Sequence, residues 1–236
     1  NETLAHYGAD VYPAILRQSA GSNGQIATLI MGADAAWGES SGPVMPNALP
    51  QRSKIDEQPI ERIAPLLEKG GRTVMLLEHH ATDPAALAAA SKIASKTGCR
   101  LMTGTFPARV DGGPGAVALE RLPYFPEQVL QTLDGVEHLI IVGGQVPASF
   151  FAYKDIPGQL VPKGCKVSRL TYIEEDSIDA LQRLTERLGA QNEVIKNFEK
   201  VEIGKPSGEL DTKSIIQSVA ATMPENLIVA TDSGGG

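Results

Sequence analysis

The chain ends in NLIVATDSGGG, where the apolar run Leu227 to Ala230 leads into Thr231, Asp232, Ser233 and three glycines. That is the composition of a buried strand opening onto a ligand-binding loop, and such a loop works by feeding a helix whose first N–H groups face an anion. A second glycine loop, VGGQVP (Val142 to Pro147), follows the apolar stretch EHLIIVGG. Glycines at the carboxyl edge of a parallel sheet let backbone approach a ligand. The dinucleotide fingerprint is incomplete there, with no third glycine and no acidic residue where a ribose would be held. A tight strand-to-helix turn without a ligand accounts for the same residues equally well. His79 and His80 stand at the end of an earlier strand pattern, and adjacent histidines in a strand face opposite ways, which works against one shared metal. TGTFPARVDGG (Thr103 to Gly113) reads as a polar loop at the same edge, lining a nucleotide groove or, the stronger expectation, a domain interface. Its Asp111 does not belong to a magnesium-diphosphate pattern, because Val110 precedes it and the next Asn is Asn192. No Ser-His-Asp order or carboxylate pair can be argued from spacing. A scaffold is legible here, and no catalytic residue is assigned within the chain.

The elements that position these loops follow from hydrophobic patterning. RTVMLLE (Arg72 to Glu78) is a continuous apolar run after Gly70-Gly71, the pattern of a strand covered on both faces. The next segment, DPAALAAASKIASKTG, has Asp83 as N-cap, Pro84 at the first helical position and Gly98 at the end. A short strand at Cys99 to Met102, a helix from Pro126, the strand EHLIIVGG and the strand CKVSRLTY come next. In DSIDALQRLTERLG, Ile178, Leu181, Leu184 and Leu188 share one helical face. Strands alternating with helices of this length connect by right-handed crossovers, giving an α/β, Rossmann-like parallel sheet with helices on both faces. Flanking it, QIATLIMGAD (Gln25 to Asp34) reads as a strand after a helix tail in Asn1 to Gln18. WGESSGPVMPNALP (Trp37 to Pro50) reads as a linker, Ala190 to Gly208 as another, and Asp211 caps a short helix through Ala221. Both termini are expected to belong to neighbouring domains of a longer protein, with a nicked product as the alternative.

Bulk properties narrow the partners. With 236 residues, 42% hydrophobic content and net charge -7, the chain can bury one good core, or one core plus fragments of others, and shows no basic face for a phosphate backbone. Neither a membrane-spanning run nor a charged-then-apolar leader is visible, so a cytoplasmic location is expected. Cys99 and Cys165, the two cysteines, are expected to be reduced packing residues.

Three stretches, IATLIMGADAAWGE, LPYFPEQVLQTLDGVEHLIIVGGQVPASFFAYKDIPGQLVPKGCKVSRL and LDTKSIIQSVAATMPENLIVATDSGGG, resemble thiamine-diphosphate-dependent enzymes of the acetolactate synthase and benzoylformate decarboxylase type. The likeness runs over nearly the whole chain and is strongest from Leu122 to Leu170. It implies four parts: 1–50, the end of a pyrimidine-binding domain with its linker; 51–189, a central Rossmann-like domain; 190–209, a linker; and 210–236, the start of a diphosphate-binding domain. It also implies a parent enzyme that uses thiamine diphosphate and magnesium to decarboxylate a 2-oxo acid or join it to a second one, as a homodimer or homotetramer. The catalytic Glu of that family has no counterpart here, nor has its Gly-Asp-Gly magnesium motif. Asp232, Ser233, Gly234 and Gly235 are carried over as residues near the cofactor. Some relatives hold FAD or ADP on the central domain, and Gly143, Gly144 and Gln145, with Thr103 and Gly104, would be the contacts if one binds. The rival reading is a nucleotide-binding or purely structural module without catalysis.

Overall fold

The computed structural model describes residues 28, 30, 32–38, 51–70, 72–224 and 226–230. Its helices are α1 (Ala33–Trp37), α2 (Glu57–Leu67), α3 (Pro84–Thr97), α4 (Pro126–Thr132), α5 (Ser177–Arg187) and α6 (Thr212–Thr222). Its strands are β1 (Thr73–Leu77), β2 (Arg100–Thr103), β3 (Glu120–Arg121), β4 (His138–Val142) and β5 (Lys166–Thr171). They form one sheet in the order β3-β2-β1-β4-β5, parallel at every pairing. The fold is the expected Rossmann-like α/β sheet. After β3 the chain returns past β1 to lay down β4, so the strand order reverses between β1 and β4.

β1 and β4 are buried at every residue, as continuous apolar runs covered on both faces must be. Alternation sends Met75, Leu77, Ile140 and Val142 to one face, where α2, α3 and α5 cover them. Val74, Leu76, Leu139 and Ile141 go to the other face, beneath α4 and the irregular segments carrying Leu122 and Leu160. Among the described residues the two faces are therefore unequal: three helices close one, and a single short helix with long loops closes the other.

Local chemistry explains the helix ends. The Asp83 side chain accepts from Ala85 N at 2.9 Å, Pro84 opens α3, and Gly98 ends it at φ 74, in the left-handed region. The alanines of α3 let α5 come close enough for the Thr185 hydroxyl to reach the Ala89 carbonyl at 3.3 Å. Asp176 caps α5 by accepting from Ile178 N and Asp179 N. α2 lies beside α5, where Arg183 pairs with Glu57 and Arg187 pairs with Glu61 at 3.0 Å.

Several expectations are corrected by this arrangement. His79 does not continue a strand: it has φ 50, and His79–Thr82 forms a 3-10 turn. The first part of the expected second linker is not free, since Ala118 N donates to Lys196 O at 2.9 Å and Ser95 Oγ to Val194 O at 2.6 Å. Leu227 to Val229 are exposed and form no strand, because among the described residues no strand lies beside them to share a ladder. Ala33 and Asp34 lie in α1 rather than in a strand. The rest of Gln25 to Asp34 falls almost wholly outside the described residues, as do Asn1 to Gln18 and most of the first linker.

Candidate functional site

The register builds the site. Leu77 pairs with Thr103 on one side and Val142 on the other, so β1, β2 and β4 end level. The next residues, Glu78, Gly104 and Gly143, therefore meet at one rim, beside the point where strand order reverses. Open parallel sheets take ligands at such a point.

Glu78 is still extended, with φ -138 and ψ 162, and its N–H donates to Val142 O at 3.1 Å. Period-two alternation sends its side chain to the face of Leu76. The chain then turns away at once, closed by Ala81 N donating to Glu78 O at 2.9 Å. The half-buried Glu78 carboxylate lies between two buried glycines. A methyl group on Gly104 would overlap Oε1, and one on Gly144 would overlap Oε2 and sit 2.8 Å from Glu78 Cβ. Gln145 N donates to Oε2 at 3.1 Å. From β5, Arg169 donates to the Gly144 carbonyl and, at 3.3 Å, to Gln145 Oε1, while its guanidinium lies 4.7 Å from the Tyr172 ring centroid.

Gly143 does a different job. At φ +70, a Cβ there would come within 2.7 Å of Glu78 O and 3.1 Å of Ser177 Oγ, so only glycine lets the loop pass the turn after β1. Thr103 ends β2 on the opposite face from Glu78; it is 2% exposed and its hydroxyl has no hydrogen-bond partner among the described residues. Of the residues singled out at this edge, Gly104, Gly144 and Gln145 thus surround one carboxylate, and Gly143 and Thr103 stand behind it.

Beside Glu78 opens a cavity of about 250 Å³, walled by Leu76, Gly104, Phe106, Tyr124 and Phe150. The Tyr124 and Phe150 rings stack at 5.6 Å with 22° between planes, and Phe106 lies 5.2 Å from Phe150. Neither Glu78 nor this aromatic wall emerged as a site from the sequence. The available signal was an acidic residue ending a continuous apolar strand, LLE, at a sheet edge.

Behind the turn, His80 Nδ1 is buried and finds no hydrogen-bond partner among the described residues, 3.9 Å from Asp176 Oδ1. Burial, with the Arg52 guanidinium beside it, holds the imidazole below its usual pKa despite Asp176 and Asp83. Among the described residues no three His, Cys, Asp or Glu gather as a metal set. Asp232, Ser233, Gly234 and Gly235 lie outside the described residues.

At this edge the residues do not form the glycine-loop cradle by which a helix N-terminus holds the diphosphate of FAD or ADP. A glycine loop that holds such a group commonly does so with free N–H donors at a helix N-terminus. Here a carboxylate lies between Gly104 and Gly144, the Gln145 N–H is already used, and a 3-10 turn follows β1. What the arrangement can do chemically is hold a ligand of the opposite charge.

The same α/β fold is found in solved structures. Two solved structures share it: an enzyme of Mycobacterium smegmatis provisionally described as thiamin diphosphate-dependent, with TM-score 0.54, 17% identity, and 79% of this chain and 39% of that one covered; and the thiamine diphosphate-dependent 4-hydroxybenzoylformate decarboxylase of Rhodococcus jostii RHA1, with TM-score 0.54, 18% identity, and 77% and 37% covered. In sequence, the chain is 37% identical over 232 residues to a Mycobacterium tuberculosis protein provisionally named acetolactate synthase large subunit IlvX. That match covers 98% of this chain and 44% of the relative, so the chain spans less than half the length of the curated protein it matches. No protein-family model matches the chain.

Proposed function

We propose that this chain is part of a thiamine-diphosphate-dependent enzyme acting on 2-oxo acids, by acetolactate synthase-like carboligation or by decarboxylation. The observation that carries this is the 37% identity to the acetolactate synthase-named relative along 98% of the chain. The division is that expected from the sequence: 1–50, 51–189 as the central domain, 190–209, and 210–236 as the start of the diphosphate-binding part. Asp232, Ser233, Gly234 and Gly235 are proposed to lie near the cofactor, with magnesium accompanying it.

Bound thiamine diphosphate supplies the carbon nucleophile and electron sink for the reaction, and protein supplies binding and orientation. The described residues contribute the second of these: the α2–α5 seam and the level strand ends hold a rigid frame for the segments on either side. Thr103, Gly104, Gly143, Gly144 and Gln145 are proposed as frame rather than as FAD or ADP contacts, because the Glu78 carboxylate lies between Gly104 and Gly144 and takes up the Gln145 N–H. A cytoplasmic homodimer or homotetramer completes the proposal; no helix among the described residues is long and apolar enough to cross a membrane.

The test uses the complete protein and the 236-residue chain side by side, with pyruvate or benzoylformate, thiamine diphosphate and magnesium. Carbon dioxide release is expected from the complete protein alone. Failure of the complete protein to bind thiamine diphosphate, or turnover by the chain alone, would overturn this reading.

A further inference from the structure

The Glu78 carboxylate has an unusual position for a charged group. It is half-buried at the strand-order reversal, yet none of the ion pairs among the described residues includes it. Charges withdrawn from water are normally paired. Among the described residues its hydrogen bond comes from Gln145 N, whereas an ionised carboxylate offers about four acceptor sites. A Cβ on either flanking glycine would overlap one of its oxygens, so the carboxylate itself occupies the gap between them.

The space it faces has its own chemistry. The cavity is walled mainly by apolar groups, and Phe106, Tyr124 and Phe150 form a three-ring cluster with centroid separations of 5.2, 5.6 and 5.9 Å. Rings gathered beside a carboxylate attract a positively charged ligand twice, by direct charge and through their negative faces. At about 250 Å³ the cavity suits a small ligand. A metal ion lacks a ligand set there, since among the described residues no cluster of three His, Cys, Asp or Glu is found.

We propose that this cavity binds a small organic cation with an apolar or aromatic body, its ammonium group against Glu78 and its body against Phe106, Tyr124 and Phe150. The same carboxylate turns nucleotide diphosphates away from the edge. The site is independent of the thiamine diphosphate reading and stands or falls without it.

The probe is phenethylammonium, titrated into the complete protein by calorimetry, with phenylacetate as the same body carrying the opposite charge and ADP as the nucleotide. Saturable binding is expected for phenethylammonium at millimolar concentration or below, and none for phenylacetate or ADP over the same range. Glu78→Gln keeps the shape, removes the charge, and is expected to weaken phenethylammonium at least tenfold. Phe150→Ala removes an exposed ring, spares the core, and is expected to weaken it several-fold, which decides the matter should the Gln variant fail to fold. Absence of phenethylammonium binding, binding unchanged in the variants, or ADP binding to the unaltered protein would each overturn the proposal.

Discussion

Two glycines with nearly the same backbone angle provide a controlled experiment on the candidate site. Gly143 has φ +70 and Gly135 has φ +73, but a Cβ on Gly135 would meet nothing within 4 Å. Alanine at Gly135 therefore carries only the left-handed backbone penalty, about 1–2 kcal/mol. Alanine at Gly143 carries that penalty and also drives a methyl to 2.7 Å from Glu78 O and 3.1 Å from Ser177 Oγ. Neither neighbour retreats easily: Glu78 O accepts from Ala81 N in the 3-10 turn, and Ser177 Oγ is bonded to Thr171 Oγ1 at 2.8 Å. Overpacking of this kind adds about 1–3 kcal/mol. Gly143→Ala is thus expected to lose about 2–5 kcal/mol in all. With a urea slope of about 1–3 kcal/mol/M, its midpoint falls below that of Gly135→Ala by roughly 1 M. Urea unfolding of both variants, followed by far-ultraviolet circular dichroism, measures the difference. Midpoints that coincide would refute the claim that the loop after β4 is moulded against the turn after β1.

Other perturbations test the frame. Ile140→Ala, at a fully buried position of β4, is expected to cost about 2–5 kcal/mol by denaturant titration, while Val167→Ala, 43% exposed on β5, changes stability by about 0.5 kcal/mol or less. Burial pushes the Cys99 thiol up to about 11, so a disulfide reagent at pH 8 should label Cys165 in the folded protein and Cys99 only after unfolding; equal native rates would contradict its burial. The hydrogen bond from Lys54, with Arg183 beside it, holds the Asp179 carboxyl below its usual range. A depressed folded-state pKa stabilises above the unfolded value and is lost as pH falls through the folded one. Asp179→Asn should therefore lower the melting temperature at pH 7, and its gap to the parent should close as the pH is taken down through the carboxylate range.

Much of the frame was legible because its signals are local. Continuous apolar runs located β1 and β4, and Asp83, Pro84 and Gly98 bracketed α3 almost to the residue. α2 escaped although Ile60, Ile63, Ala64 and Leu67 follow helical spacing, because Pro59 and Pro65 interrupt the pattern. Pro59 lies in the first turn, where no intrahelical donor is required, so the first interruption costs nothing. β3 could not be read at all: its two residues, Glu120 and Arg121, are exposed, and only pairing with β2 makes them a strand. The opposite error arose at Leu227 to Val229, where apolar residues suggested a strand but no described neighbour supplies a ladder. Local apolarity marks a strand only where something else offers hydrogen bonds.

The edge site shows the same division between local and distant information. Gly104 and Gly144 announce that something must approach the backbone closely, but a glycine does not say what approaches. In a nucleotide site the visitor is a phosphate; here it is the carboxylate of Glu78, brought in from the adjacent strand. That meeting depends on Leu77 lying level with both Thr103 and Val142, a register set by long-range packing and absent from any short window. The sign of charge at a glycine-lined sheet edge is therefore decided by the residue that ends the neighbouring strand. Moving that residue by one position would reverse its face and empty the gap.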